Sequence, residues 1–188
     1  MAIRDGRVTT IKENRTDTAE RVFDAECKIV TPCFIDIHTH SDFTLPLNPK
    51  ADEKSRQGVM IEVVGNCGFS VAPALPEKGE KLRAYLFGSA PWLPFKETNF
   101  ANYMHAWTDI AVNKFMQVGQ NTLRLMAIGM EGHAPNNREL LHFQEMLEEG
   151  LNAGALRFSS GLFTAPGCLS EPDVLHPLGS VLERYSAR

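Results

Sequence analysis

Little in this sequence points to a membrane, an extracellular space or a nucleic acid. It has no run of about 18 apolar residues, the length that would read as a membrane span. The opening residues, Met1-Ala2-Ile3-Arg4-Asp5-Gly6, contain no apolar core of a secretory signal. Lysine and arginine do not cluster, and the formal charge is −4, so DNA or RNA is not the expected partner. Cysteine is sparse, at four residues in 188. Without a secretory context the four read as free thiols in a reducing compartment, which makes the cytoplasm the expected location. Apolar residues make up 43% of the chain, enough for one core with at most a small appendage.

What stands out instead is Phe34-Ile35-Asp36-Ile37-His38-Thr39-His40. Side chains two apart on a strand share a face. A strand running through this segment would project Asp36, His38 and His40 together, with Ile35 and Ile37 packed behind. Imidazoles about 6–7 Å apart along such a face can converge on one metal ion or on two adjacent ones. A second strand is expected at residues 59–64, a β-branched run that reads as buried. It leads into Gly65-Asn66-Cys67-Gly68, a turn flexible enough to aim the Cys67 sulfur at the histidines. Two imidazoles and a thiolate form a soft donor set that favours zinc over magnesium or calcium. Asp36 and Asp42 are placed as supporting residues. Asp36 would orient a ligand or hold backbone at the floor of the site, and Asp42 stands just past the histidine pair. His105, His133, His142 and His176 make no metal spacing with one another.

Around this centre the pattern predicts a hairpin at Asp5-Gly6 between Ile3 and Val8, then strands at residues 22–25 and 28–30. A short helix is expected over residues 52–57, and a Pro-rich lid-like loop over 73–94. A helix capped by Thr98 or Asn99 would run to about Asp109, followed by a strand at 114–118. Asn136 and Glu139 form the signature of a capping box. The helix they open puts Leu140, Phe143, Leu147 and Leu151 on one face and stops at Gly154. A strand at 155–159 and a helix at 173–185 complete the series. Strand–helix alternation implies a parallel sheet with helical crossovers, and the chemically interesting residues follow strand C-terminal ends, where (β/α)₈ barrels keep their active sites. Such barrels need about 250 residues, so this chain has room for roughly half of one.

These segments resemble a known family. Ile29-Val30-Thr31-Pro32 with the run from Phe34 to Asp42 is similar to the entry of the amidohydrolase superfamily barrel. Gln57-Gly58-Val59, Glu62-Val63-Val64-Gly65-Asn66-Cys67-Gly68, Gly129-Met130-Glu131, Ser159-Ser160-Gly161-Leu162 and Ala165-Pro166-Gly167 narrow the resemblance. They match the N-acyl-D-amino-acid deacylase (D-aminoacylase) branch, over essentially the whole chain. The resemblance implies an α/β fold with residues 1–32 in a small β-sandwich and residues 33–188 as the N-terminal half of a metal-dependent barrel. It implies zinc held by His38, His40 and Cys67, an N-acylated amino acid as substrate, and amide hydrolysis to a carboxylate and a free D-amino acid. The catalytic aspartate and two further histidines would lie beyond Arg188. The chain alone would then be catalytically incomplete, and would need its C-terminal half or self-association. Departures from the family pattern are Cys27 and Cys33 at glycine positions, Gln120 in place of a histidine, and Arg157 at a small-residue position in a strand. Two other readings compete. One is a non-catalytic or oligomerising module of the same fold. The other is a hydantoinase- or dihydroorotase-like cyclic amidohydrolase, which would want a strand-end lysine that is not seen beside the motif.

Overall fold

The computed structural model describes residues 1–13 and 17–185. The chain divides into two compact units, Met1–Pro32 and Cys33–Arg188. In the first, β1 (Ala2–Arg4) and β2 (Arg7–Thr10) pair antiparallel. Asp5 and Gly6 join them with φ of 51° and 70°, the two positive values that a type I′ hairpin turn requires. The expected strands at 22–25 and 28–30 do not form. The Lys28 amide instead closes a turn onto Ala25, and Val22, Phe23, Ile29 and Val30 stay exposed. With no partner edge, β-propensity alone does not make a strand.

The second unit is built on a four-stranded parallel sheet in sequential order: β3 (Phe34–Asp36), β4 (Val59–Val64), β5 (Asn113–Gly119) and β6 (Arg157–Ser159). Among the described residues six α-helices accompany it: α1 (Asp52–Ser55), α2 (Gly79–Phe87), α3 (Phe100–His105), α4 (Gln120–Ala127), α5 (Asn137–Asn152) and α6 (Pro172–Glu183). The register pairs Glu62 with Lys114 and Val64 with Met116. This face is the buried one: Val64, Met116 and Val118 join Phe100, Leu123, Phe143 and Leu147 in the main core. The opposite face carries Ile35 and Phe115, 56% and 46% exposed. All the helical cover lies on one side, so the architecture is half of a (β/α) barrel whose inner face is open.

Several boundaries differ from the sequence expectation. β3 ends at Asp36, so His38 and His40 follow the strand rather than ride on it. The Pro-rich stretch contains the nine-residue α2. Arg157 is exposed, so the desolvation cost expected of a strand arginine does not arise. α3 ends at His105 rather than near Asp109, although Asn99 does cap it by accepting from the Asn102 amide. The largest surprise is α4, where residues 120–126 are all buried. Its sequence separates apolar from polar residues as a surface helix would, yet the polar side is enclosed as well. Its polar side chains are spent internally: Gln120 donates to Ser170, Asn121 to Tyr85, and Arg124 to the Glu131 and His133 carbonyls.

The capping box of α5 forms as expected. The Asn136 side chain accepts from Arg138 and Glu139 amides, and the Glu139 carboxylate accepts from the Asn136 amide. Asn136→Ala should lower stability by about 1 kcal/mol. Truncating Leu147, which is fully buried, should cost about 2–5 kcal/mol. Urea unfolding of the two variants checks both the sizes and their order.

Candidate metal centre

Beyond Asp36 the chain leaves the sheet in a tight turn. The Asp36 Oδ1 accepts from the His38 amide at 3.1 Å, while the Thr39 amide donates to the Val63 carbonyl at 3.3 Å and keeps the segment beside β4. A single 3₁₀ turn, Ser41–Phe43, then buries the chain again. At the end of β4 the backbone turns through the left-handed region at Gly65, Cys67 and Gly68, with φ of 78°, 57° and 78°. Cys67 is the costly position, because a Cβ there is strained by about 1–2 kcal/mol. Strain of this kind persists where surrounding contacts over-determine it, and it concentrates at functional sites. Asn66 supplies part of that determination. Its Nδ2 donates to the carbonyls of Thr39 (3.0 Å) and Val63 (2.7 Å), and its Oδ1 accepts from Gln117 of β5 at 2.8 Å.

These two segments bring His38, His40 and Cys67 together, with one potential ligand atom from each lying within 4.8 Å of the others. His38 Nε2 is 3.2 Å from Cys67 Sγ. Ligand atoms on one tetrahedral zinc stand about 3.5 Å apart, so the separation suits a shared ion. Among the described residues this is the one such cluster of three or more. His38 is exposed, and His40 and Cys67 are half-buried. His40 sits between Phe43 and Phe69, at ring-centroid distances of 5.7 and 5.9 Å. Its Nδ1 is buried without a hydrogen-bond partner. Burial, with His38 nearby, pushes its pKa down, which favours the neutral imidazole that a metal needs. An orphaned buried nitrogen and a soft N/N/S donor set both fit a zinc-class ion.

Asp36 and Asp42 lie outside this cluster of donor atoms. Asp36 is committed to Lys54 at 2.5 Å, and that hydrogen bond is the main cause of its lowered pKa. Asp42 is wholly buried, and its Oδ1 has no partner. Burial pushes its carboxyl up to about 7, against the nearby backbone amides of Asp42 and Gly65 and with help from Glu62. Glu62 had no place in the sequence reading of the site. It is fully buried, and neither carboxylate oxygen has a hydrogen-bond partner. An acid inside the β-branched run of β4 was the available signal.

No family model matches the chain. It is similar to the N-acyl-D-glutamate deacylase of Alcaligenes xylosoxydans xylosoxydans, at 35% identity across 96% of this chain and 37% of that protein. It is also similar to the D-aminoacylase of the same organism, at 32% identity across 88% of this chain and 34% of that protein. A D-aminoacylase structure superposes with a TM-score of 0.71 at 28% identity, covering 82% of this chain and 32% of its own. The N-acyl-D-glutamate deacylase of Bordetella bronchiseptica, complexed with zinc and a phosphonate mimic of the tetrahedral intermediate, gives 0.64 at 32% identity, with 81% and 32% covered. The chain resembles the D-aminoacylase branch of the amidohydrolase superfamily over part of those proteins' length. It spans little more than a third of the length of the curated deacylases it matches.

Two outcomes follow for this site. Removing the Cys67 thiolate (Cys67→Ser) should weaken zinc binding by a factor of ten or more, about 1.4 kcal/mol, in a chelator competition; unchanged affinity would exclude the sulfur as a ligand. For Asp42, the metal-free folded state keeps a proton that the unfolded chain releases near pH 4. Stability should therefore fall as pH rises from about 4 to about 7. Asp42→Asn, which resembles the protonated acid, should flatten that slope in urea titrations at several pH values. A slope equal to that of the unsubstituted chain would show that Asp42 does not cause it.

Proposed function

We propose that this chain is the metal-ligating portion of a zinc-dependent hydrolase acting on N-acyl-D-amino acids. The observation that carries the reading is the convergence of His38, His40 and Cys67 at the C-terminal end of a parallel sheet, with His38 Nε2 and Cys67 Sγ 3.2 Å apart. The relatives named as N-acyl-D-glutamate, N-acyl-D-aspartate and D-amino-acid deacylases support the substrate class. The zinc in the Bordetella bronchiseptica structure supports the metal.

In this reading His38, His40 and Cys67 hold zinc, and Asp36 and Asp42 support them without ligating. A zinc ion at such a site supplies Lewis acidity, lowering the pKa of coordinated water and polarising the amide carbonyl. The chain's own residues prepare the site. His40 is kept neutral by burial and clamped between two phenylalanine rings. Asp36, fixed by Lys54, holds the turn that releases the histidines from the sheet. Half-buried Phe69 and buried Phe43 shield one flank from water. The proton transfer to the leaving amine is assigned to an aspartate in the following part of the protein, since no carboxylate among the described residues joins the ligand cluster.

Residues 1–32 are assigned to a small β-sandwich and 33–188 to the N-terminal half of the barrel. The open sheet face, with Ile35 and Phe115 exposed, supports closure by further strands in the complete protein, because contiguous exposed apolar faces mark surfaces that something covers.

The test is zinc content together with hydrolysis of N-acetyl-D-glutamate and its L-isomer. The purified chain is expected to retain one equivalent of zinc and to lose it on His38→Ala or Cys67→Ser. Turnover, selective for the D-isomer, is expected once the chain is extended by the C-terminal portion of a deacylase relative. A chain that binds no zinc after refolding with the metal would overturn the proposal.

A further inference from the structure

The Ser159-Ser160-Gly161-Leu162 segment is left without a role by the metal centre as described, yet it touches the most strained part of it. Ser159 is the last residue of β6, paired with Gly119 of β5 and two strands away from β4. Its Oγ donates to the Gly65 carbonyl and accepts from the Gly68 amide at 3.1 Å. One hydroxyl thus joins the two ends of the four-residue turn that carries Cys67, using its single proton and one lone pair. The neighbouring contacts leave the turn little freedom. The Gly68 carbonyl accepts from the Asn121 and Thr122 amides at the start of α4, at 3.0 and 3.3 Å. A Cβ at Gly161 would collide with the Cys67 carbonyl, and one at Gly119 with the Gly68 carbonyl. The backbone of the Ser159 segment is therefore pressed directly beneath the cysteine.

We infer that Ser159 is a positioning residue for the metal thiolate: its hydroxyl bridge between Gly65 and Gly68 holds Cys67 in the left-handed conformation that points Sγ at His38 and His40. The inference rests on the zinc reading of the site. Cys67 adopts a conformation that ordinary residues avoid, and the bridge offsets its cost by satisfying a carbonyl and an amide that would otherwise need other partners. Outer contacts of this kind typically change metal affinity by about 10–100-fold.

Cobalt(II) reports directly on this arrangement, because a bound thiolate gives a near-ultraviolet sulfur-to-metal absorption. Ser159→Ala should bind cobalt about 10–100-fold more weakly than the unsubstituted chain, with a weakened or shifted thiolate band. Ser159→Thr, which keeps the hydroxyl, should restore both. Hydrogen exchange on the unsubstituted, metal-free chain gives a reading independent of whether any variant folds: the Gly68 amide should be protected. An exposed-like exchange rate at Gly68, or a Ser159→Ala chain with unchanged affinity and spectrum, would overturn the inference alone. Failure of the unsubstituted chain to bind cobalt would overturn the zinc reading and this inference with it.

Discussion

The centre of this structure depends on a backbone turn that a cysteine would not choose by itself. At the end of β4 the chain must reverse direction within four residues and leave a thiol facing two histidines. Gly65 and Gly68 take the left-handed conformation at little cost, but Cys67 does not. Polar contacts from three other strands or their extensions hold it there: Thr39 after β3, Gln117 on β5 and Ser159 on β6. Since parallel strands all end on the same side, their C-terminal ends can share one set of hydrogen bonds around a single turn. The candidate metal centre is thus a property of the sheet's C-terminal end, and no single segment could build it.

The distribution of burial follows from the same architecture. Helices cover one face of the sheet and bring Val64, Met116 and Val118 into a continuous core with Phe143 and Leu147. The other face keeps Ile35 and Phe115 exposed. In a barrel the inner face is filled by side chains from strands all round the circle, and four strands supply only part of that filling. Charged groups collect under the helices nearest the site. Glu62 and Asp42 are buried with unpartnered oxygens, Asp36 pairs with Lys54, and burial lowers Lys114 to about 8 while it donates to the Trp107 carbonyl. Polar burial such as that of Glu62 and Asp42 is costly.

Local rules were enough for parts of the fold. The Asp5-Gly6 hairpin and the Asn136–Glu139 capping box each satisfy backbone groups within a few residues, so their chemistry can be read along the chain. The alternation of strands and helices was legible for the same reason, because periodicity records which face is buried. α4 was not legible. Its buried surface is continuous around the helix, and its polar residues find partners on α2, the 164–170 segment and the 129–134 loop, of which only the loop is near in sequence. The expected strands at 22–25 and 28–30 failed in the opposite way: the residues suit a strand, but no edge is there to pair with them.

The residue types of His38, His40 and Cys67 are legible in the sequence as a soft donor set that would suit a zinc-class ion, and the longer motifs around them carry the resemblance to the amidohydrolases. Which atoms meet was decided only in three dimensions. β3 stops two residues before His38, so the strand alternation that suggested the pair does not orient it. The Asp36 turn does that locally, while the Asn66 bridge and the Ser159 hydroxyl act across 27 and 94 residues of sequence. Side-chain identity is a local property, whereas the direction in which a ligand atom points depends on hydrogen bonds that exist only once the sheet has assembled.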